Sequence, residues 1–313
     1  MPDSSAILVD SIGKTYYLGV RRRPVEALRK VSFEVRQGEV YAFLGLNGAG
    51  KTTTIKMLLD HARPSTGRCS LFGIDSRIPA SRTRVGYMPD LPNFYRFLST
   101  TEQLDYFGRL HGLGKAERLD RSRRLIQLVG LQGRENEPLK GFSRGMLQRV
   151  GLAQALIGDP ALLILDEPLG GLDPMGRFEF HKIISDLKAE GRTIFFSSHI
   201  LEDAERVADR VGIIHQGTLV ASGRMAEIVM KESGFRIEFR RSGIDQPFDT
   251  IVAAKDWQVS YDESLVTITV PDESSLTLAL AMAVQANLAV YTVTPVRSTL
   301  EQAFISELEK WKH

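Results

Sequence analysis

Eight consecutive residues, 45–52, have the types and spacing of a phosphate-binding loop. Gly45 is followed by four residues and then by Gly50, Lys51 and Thr52. Glycines in such a loop let backbone amides curl around a phosphate, and the lysine ammonium bridges oxygens of the β- and γ-phosphates. The segment therefore predicts a nucleoside triphosphate site, with the binding residues Gly45, Asn47, Gly48, Ala49, Gly50, Lys51, Thr52 and Thr53.

Two carboxylates follow a second apolar run. Leu162–Leu165 predicts a buried strand that ends directly before Asp166 and Glu167. Because parallel strands end at one edge of a sheet, both acids are expected beside the phosphate loop. There Asp166 would hold Mg²⁺ with the Thr52 hydroxyl, and Glu167 would orient or deprotonate a water, a role worth about 10²–10⁴ in rate. The residues predict Mg²⁺-dependent hydrolysis, with Lys51 and Glu167 as catalytic groups.

A phosphate loop alone is compatible with GTPases, kinases, helicases and transport ATPases, and a further segment distinguishes among them. Residues 142–149, FSRGMLQR, resemble the signature segment of the ATP-binding cassette family. The resemblance implies that Ser143 and Gly145 contact the γ-phosphate of an ATP held by another subunit, so that ATP lies between two chains. Arg144 stands where the family has its first glycine, and Met146 where it has a glutamine.

Two more segments resemble the same family. Residues 170–174, GGLDP, are similar to the loop that couples its two ATP sites, and His199 stands where the family has its switch histidine. The resemblance implies that His199 contacts the γ-phosphate and acts with Lys51 and Glu167 as a catalytic residue. It also implies ATP and Mg²⁺ as the ligands of the site.

Two single positions extend the predicted nucleotide site. Tyr16 stands where the family has an aromatic ring that stacks on adenine, with Tyr17 as the alternative ring and a half-buried strand tyrosine as the alternative explanation. Residues 85–90 resemble the segment in which most members carry a glutamine that senses the γ-phosphate and touches the membrane partner. Asp90 replaces that glutamine and stays in the predicted nucleotide-binding set, because an aspartate could reach magnesium through water.

Around these segments the hydrophobic pattern alternates between strands and helices. Strands are predicted at Ala6–Val9, Val31–Val35, Val40–Leu44, Ala161–Leu165 and Thr193–Ser197, a hairpin at Val211–Ala221 turning at Gln216 and Gly217, and helices at Thr52–Leu59 and within Ser99–Leu131. Thr100 and Gln103 have the spacing of a capping box. Strands that alternate with helices imply a mainly parallel, covered sheet.

After about Met230 the pattern changes to a period of two. Phe235, Ile237 and Phe239 share one face, as do Trp257, Val259 and Tyr261, and a helix at about Ser274–Ala286, a strand near Tyr291 and a helix from Ser298 with Glu301 at capping spacing follow. The predicted fold class is α/β, a P-loop NTPase (RecA-like) core with an N-terminal antiparallel β subdomain, an inserted helical subdomain at about 91–158 and a small C-terminal α+β domain. The predicted ATP-binding domain is 1–228 and the accessory domain 229–313.

Composition excludes several function classes. The 313 residues carry 40 Lys and Arg against 38 Asp and Glu, so no nucleic acid partner is expected. The single cysteine, Cys69, cannot form an internal disulfide, which favours a reducing cytoplasm. Polar residues interrupt the apolar run Leu276–Val293, so the predicted membrane contact is made only through a partner on the cytoplasmic face.

The family resemblance covers about residues 6–225, and residues 298–304 are similar to the end of a subgroup that drives export with a separate permease. It implies the ATPase subunit of an exporter, paired with a second copy and with a transmembrane permease. The first alternative is a soluble cassette ATPase that remodels a nucleoprotein or protein assembly, but the sequence shows neither the long coiled-coil insertions nor the second cassette of its common forms. The second is a nucleotide-gated binding module without turnover, which Glu167 disfavours. The cargo and the role of the accessory domain, in dimer contact, permease contact or regulation, stay open.

Overall fold

A computed structural model describes residues 5–19, 23–229, 233–240, 257–261, 265–285, 288–297 and 300. The chain divides into two compact units, Met1–Met225 and Ala226–His313. The predicted final helix from Ser298, with Glu301, lies outside the described residues apart from Leu300. The domain boundary at 228 and the limits of the helical subdomain stay predictions.

The first unit opens with an antiparallel sheet in the order β2-β1-β4-β5. Its strands are β1 (Ser5–Leu18), β2 (Arg23–Arg36), β4 (Thr66–Leu71) and β5 (Ile74–Asp75). The predicted strands at Ala6–Val9 and Val31–Val35 are parts of two longer ones. Register shifts along the β1–β2 pair accommodate the polar and glycine residues that interrupt the alternation, so pairing continues past them.

The second sheet of this unit has the order β10-β9-β3-β8-β7-β6. Its strands are β3 (Val40–Leu44), β6 (Val85–Met88), β7 (Leu162–Leu165), β8 (Thr193–Ser198), β9 (Arg210–His215) and β10 (Thr218–Arg224). All neighbours are parallel except β9 and β10, which form the predicted hairpin. Every residue of β3, β7 and β8 is buried, as expected for a covered parallel sheet. The α/β prediction is confirmed.

Seven α-helices are described from Lys51 to Val229. They are α1 (Lys51–Leu58), α2 (Thr100–Leu110), α3 (Lys115–Leu128), α4 (Arg144–Leu156), α5 (Pro174–Ala189), α6 (Leu201–Val207) and α7 (Met225–Val229). Helices α2, α3 and α4 pack on one another and form the inserted helical region.

The capping box of α2 differs by one residue from the prediction at Thr100 and Gln103. Ser99 is the N-cap: its hydroxyl accepts a hydrogen bond from the Glu102 amide, and its own amide donates to the Glu102 carboxylate. Thr100 and Gln103 are instead buried, and the Gln103 amide donates to Gln154 of α4 at 2.9 Å. Both residue pairs have the spacing of a box, and packing on α4 decides which pair caps.

An aromatic stack joins the two sheets of the first unit beneath the phosphate loop. The ring of Phe33 lies 5.5 Å from that of Tyr41 and 5.8 Å from that of Phe195. Phe43 packs on the same cluster. These buried rings hold β3 against β2 and β8, and so fix the strand from which the loop emerges.

The second unit contains an antiparallel sheet in the order β12-β13-β11-β14. The elements are β11 (Ser233–Arg240), β12 (Gln258–Tyr261), β13 (Leu265–Val270), the helix Glu273–Gln285 and β14 (Ala289–Arg297). Ile237 and Phe239 lie in its core with Phe235 packed beside them, as the alternation predicts. Across the described ranges, no helix has the length and apolar character needed to cross a bilayer.

Candidate functional site

The phosphate loop leaves β3 at Gly45 and ends at Gly50, the N-cap of α1. Gly50 has a φ of 116°, a backbone conformation that side chains disfavour, and a β-carbon there would lie 2.6 Å from Leu28 Cδ2. A β-carbon on Gly45 would lie 2.5 Å from the Ile214 carbonyl oxygen. Both glycines are therefore required by packing. Asn47 and Gly48 are exposed at the tip, where backbone amides are accessible to a ligand.

The ammonium of Lys51 lies inside this loop, with only 6% of the side chain exposed. It donates to the carbonyl oxygens of Gly45 at 2.6 Å and Leu46 at 3.3 Å. Its third neighbour is Glu167 Oε1, 3.0 Å away. The loop thus holds a positive charge at the start of α1, where the helix dipole adds to it.

Asp166 and Thr52 meet at the ends of β7 and α1. The Thr52 hydroxyl lies 3.4 Å from Asp166 Oδ1, and the Ser197 hydroxyl donates to the same oxygen at 2.7 Å. Asp166 is buried, and burial raises the pKa of its carboxyl although both hydroxyls oppose the shift. A buried carboxylate beside a hydroxyl is a set of oxygen donors suited to Mg²⁺.

Glu167 is held in an unusual backbone conformation. Its φ is 49°, which is uncommon for a residue with a side chain, and its amide donates to the Ser197 hydroxyl at 2.9 Å. Its carboxylate lies between two basic groups, Lys51 on one oxygen and His199 Nδ1, 2.7 Å away, on the other. The fold therefore brings Lys51, Asp166, Glu167 and His199 into one cluster.

Ser197 was missed by the sequence reasoning. Its hydroxyl contacts both neighbouring acids, donating to Asp166 and accepting from the Glu167 amide. A signal was present, because Ser197 and Ser198 are polar residues that follow the apolar centre of a buried strand at its carboxyl end. Buried polar groups at such an end require partners, and here the partners are the site residues.

The signature residues lie apart from this cluster. Ser143 caps α4 by accepting from the Met146 amide at 3.3 Å, and a β-carbon on Gly145 would lie 3.1 Å from Leu172 Cδ2. A cavity of about 610 Å³ opens beside them. Its described lining residues come from segments 130–134, 143–149 and 171–179, rather than from the phosphate loop.

Asp90 and Tyr16 occupy the margins of the site. Asp90 follows β6, and its carboxylate lies 3.5 Å from the guanidinium of Arg144. Tyr16 lies in β1 opposite Val25, with the ammonium of Lys14 5.0 Å from its ring centroid. Tyr16 is half-buried, whereas Tyr17 is 65% exposed. The roles of Asp90 and Tyr16 toward nucleotide stay predictions.

Comparisons with known proteins agree on one family. Residues 28–170 match the model of the ABC transporter family. An ABC transporter ATP-binding protein of Synechocystis is 46% identical over 72% of this chain, and the matched stretch spans 65% of that relative, less than two thirds of its length. Another ABC transporter ATP-binding protein, from Nostoc, is 35% identical over 98% of this chain and 90% of its own length.

A third relative is the Nod factor export ATP-binding protein I of Cupriavidus metallidurans, 38% identical over 65% of this chain and 68% of its own. Among solved structures, an ATP-binding subunit of an ABC transporter aligns with a TM-score of 0.63 and 33% identity, over 72% of this chain and 92% of that chain. This chain therefore belongs to the ABC transporter family, as one of its ATP-binding ATPase subunits.

Proposed function

We propose that ATP hydrolysis takes place at the cluster of Lys51, Asp166, Glu167 and His199, and that two copies of the chain close around two ATP molecules to drive a separate permease. The observation that carries the proposal is the Glu167 carboxylate held between Lys51 and His199. A carboxylate flanked by two basic groups, beside a glycine-rich loop, is an acid–base site next to a phosphate site.

In the structure Lys51 contacts Glu167 and two loop carbonyls. The β- and γ-phosphates of ATP carry more negative charge than one carboxylate and would take over the ammonium. Glu167 would then be released to accept a proton from the attacking water. His199 would remain within reach of both Glu167 and the γ-phosphate, and so would keep the carboxylate in place.

Thr52 and Asp166 would hold Mg²⁺, which would neutralise charge on the phosphate oxygens. The raised pKa of Asp166 reflects the cost of burying its carboxylate. A cation would remove that cost. Ser197 would keep the carboxylate oriented, because its hydroxyl is anchored by the Glu167 amide.

The separation of Ser143 and Gly145 from the phosphate loop supports a dimer. Both residues line the cavity beside α4, and its described walls include no residue of 45–53. They would complete the site only on an ATP held by a second copy, which explains a capped helix start that faces a cavity. Ser143→Arg should leave ATP binding by the monomer intact and abolish ATP-driven dimerisation, measured by light scattering. Undiminished dimerisation would contradict the shared site.

An exposed aromatic cluster, Tyr95, Phe97 and Tyr106, supports docking of a permease. Phe97 is 74% exposed and Tyr95 52%, with their ring centroids 5.9 Å apart, and Tyr106 lies 5.9 Å from Tyr95. The cluster begins five residues after Asp90, so at most about 17 Å of extended chain separates its first ring from that margin of the site. We propose that its occupant is a cytoplasmic segment of the permease. The name of the Cupriavidus relative supports export as the direction.

The experiment that tests the permease is gentle solubilisation of membranes that contain the tagged chain at native expression. A multi-spanning protein in near-equal amount supports a transporter motor, and Phe97→Ser should release it. Ile78→Ser, which removes another half-exposed apolar side chain of the same unit, should retain it. Recovery of only cytosolic or ribosomal proteins would favour an ATPase that remodels assemblies instead.

A further inference from the structure

Arg144, the first residue of α4, joins three segments of the site through one side chain. Its guanidinium lies 3.5 Å from the carboxylate of Asp90, which follows β6. The rest of the side chain crosses the loop after β7: a β-carbon on Gly171 would lie 2.5 Å from Arg144 Cδ, and one on Gly170 3.3 Å from Arg144 Nη2. Two of the three departures from the family pattern, those at 90 and at 144, therefore contact each other.

The Arg144–Asp90 pair is a weak contact. The two side chains are 54% and 45% exposed, and among the described residues the guanidinium makes the ion pair but no hydrogen bond. Half-exposed ion pairs are screened by water and contribute little. Two other arginines of the same cavity wall are bound more firmly, Arg134 by three hydrogen bonds to Glu137 and Arg149 by hydrogen bonds to Glu179 and a backbone carbonyl.

We propose that Arg144 is a phosphate-binding residue. Its guanidinium pairs with Asp90 in the single chain and moves to the phosphates of the partner's ATP when two copies close. The inference rests on the proposed dimer. A guanidinium presents a planar set of donors that fits phosphate oxygens, and a triphosphate carries more charge than one carboxylate. Closure would also exclude water, which strengthens both contacts, and the more highly charged phosphates gain more in absolute terms.

Asp90 is then a positioning residue rather than a ligand of magnesium. It holds the guanidinium near Gly170 and Gly171, in the residue that follows Ser143. The exchange would raise the ATP concentration needed for dimerisation, because ATP must displace Asp90 before Arg144 can contribute its charge to the interface.

The test uses the Glu167→Gln background, in which closed dimers should accumulate. The ATP concentration for half-maximal dimerisation is measured by light scattering, and ATP affinity at low protein concentration is measured separately. Arg144→Gln should raise the dimerisation midpoint about tenfold or more, because a charge-assisted contact is lost, with ATP affinity of the monomer unchanged. Arg144→Lys should recover part of the effect. Arg124→Gln, which breaks an exposed ion pair with Asp120 on α3, is the matched control and should change neither.

A charge swap separates phosphate binding from a simple tether. If the pair only holds the subdomains together, Asp90→Arg with Arg144→Asp should restore dimerisation. Our inference predicts that the swap keeps thermal stability but dimerises no better than Arg144→Asp alone, since an acid cannot bind phosphate. Asp90→Asn should lower the midpoint by removing the competitor, and Asp90→Glu should restore it.

The outcomes distinguish this inference from the proposed function. If Glu167→Gln alone fails to dimerise with ATP, the shared site is wrong and the role of Arg144 falls with it. If Glu167→Gln dimerises and the added Arg144→Gln changes nothing, the shared site stands and only the role of Arg144 is overturned. Full rescue by the charge swap would also overturn it.

Discussion

Replacing Glu167 with glutamine keeps the size of the side chain but removes its charge and its basicity. The proposed general base accounts for about 10²–10⁴ in rate, or about 2.7–5.4 kcal/mol of barrier. Steady-state phosphate release by Glu167→Gln should fall by that factor. The control is Glu190→Gln, which neutralises an exposed glutamate that pairs with Arg192. This variant should keep the original rate.

The same substitution should act on binding in the opposite direction. In the structure the carboxylate lies 3.0 Å from Lys51 and 2.7 Å from His199, so we expect it to compete with phosphate for the ammonium. A charged contact of this kind is worth about 1.5 kcal/mol net. Its loss should lower the melting temperature of the nucleotide-free protein by about 3–6 °C and tighten ATP binding about tenfold.

Calorimetric unfolding without nucleotide and titration with ATP measure these two effects on one preparation. Weaker ATP binding together with a lower melting temperature would refute the reasoning, because it would mean that Glu167 supports the nucleotide-bound form rather than competing with it. Turnover near the original rate would remove Glu167 from the proposed catalytic role.

Three further predictions concern other parts of the site and its support. Lys51→Ala should weaken ATP binding about a hundredfold, since the phosphates lose their charged partner. Lys56→Ala, which removes an exposed lysine of the same helix, should bind ATP with the original affinity. Equal affinities of the two variants in an equilibrium titration would exclude Lys51 as a phosphate ligand. Asp166→Asn should melt at a higher temperature than the original chain at neutral pH without Mg²⁺. The folded-state pKa of Asp166 is raised, so the cost of its buried charge is present above that pKa and disappears as pH falls through it. The advantage should therefore shrink in a series of melts toward acid pH, and a constant difference would contradict the cause. Ser99→Ala should lower the free energy of unfolding by about 1 kcal/mol and the melting temperature by about 2–4 °C, without changing the rate of hydrolysis. Ser99→Asp should keep a melting temperature close to that of the original chain. If Thr100→Ala lowered the melting temperature and Ser99→Ala did not, the cap would lie where the sequence predicts it.

The sequence by itself determined the local parts of the site. The loop 45–52 and the acids that follow the Leu162–Leu165 strand are each set by residue types at short spacing, and the structure has a strand, loop and helix at the places that these patterns predict. Hydrophobic periodicity also predicted the hairpin and the parallel sheet. Such features need only neighbours in the chain, so one sequence carries them.

Only the tertiary structure decided which of these parts meet. Lys51 and His199 reach the same carboxylate from positions 116 and 32 residues away along the chain, and Ser197 joins both acids from the adjacent strand. The Arg144–Asp90 contact and the choice of Ser99 over Thr100 as a cap depend equally on side-chain packing between distant elements. Spacing along a chain cannot give these contacts, because they depend on how strands register in the sheet and on the rotamers that packing allows.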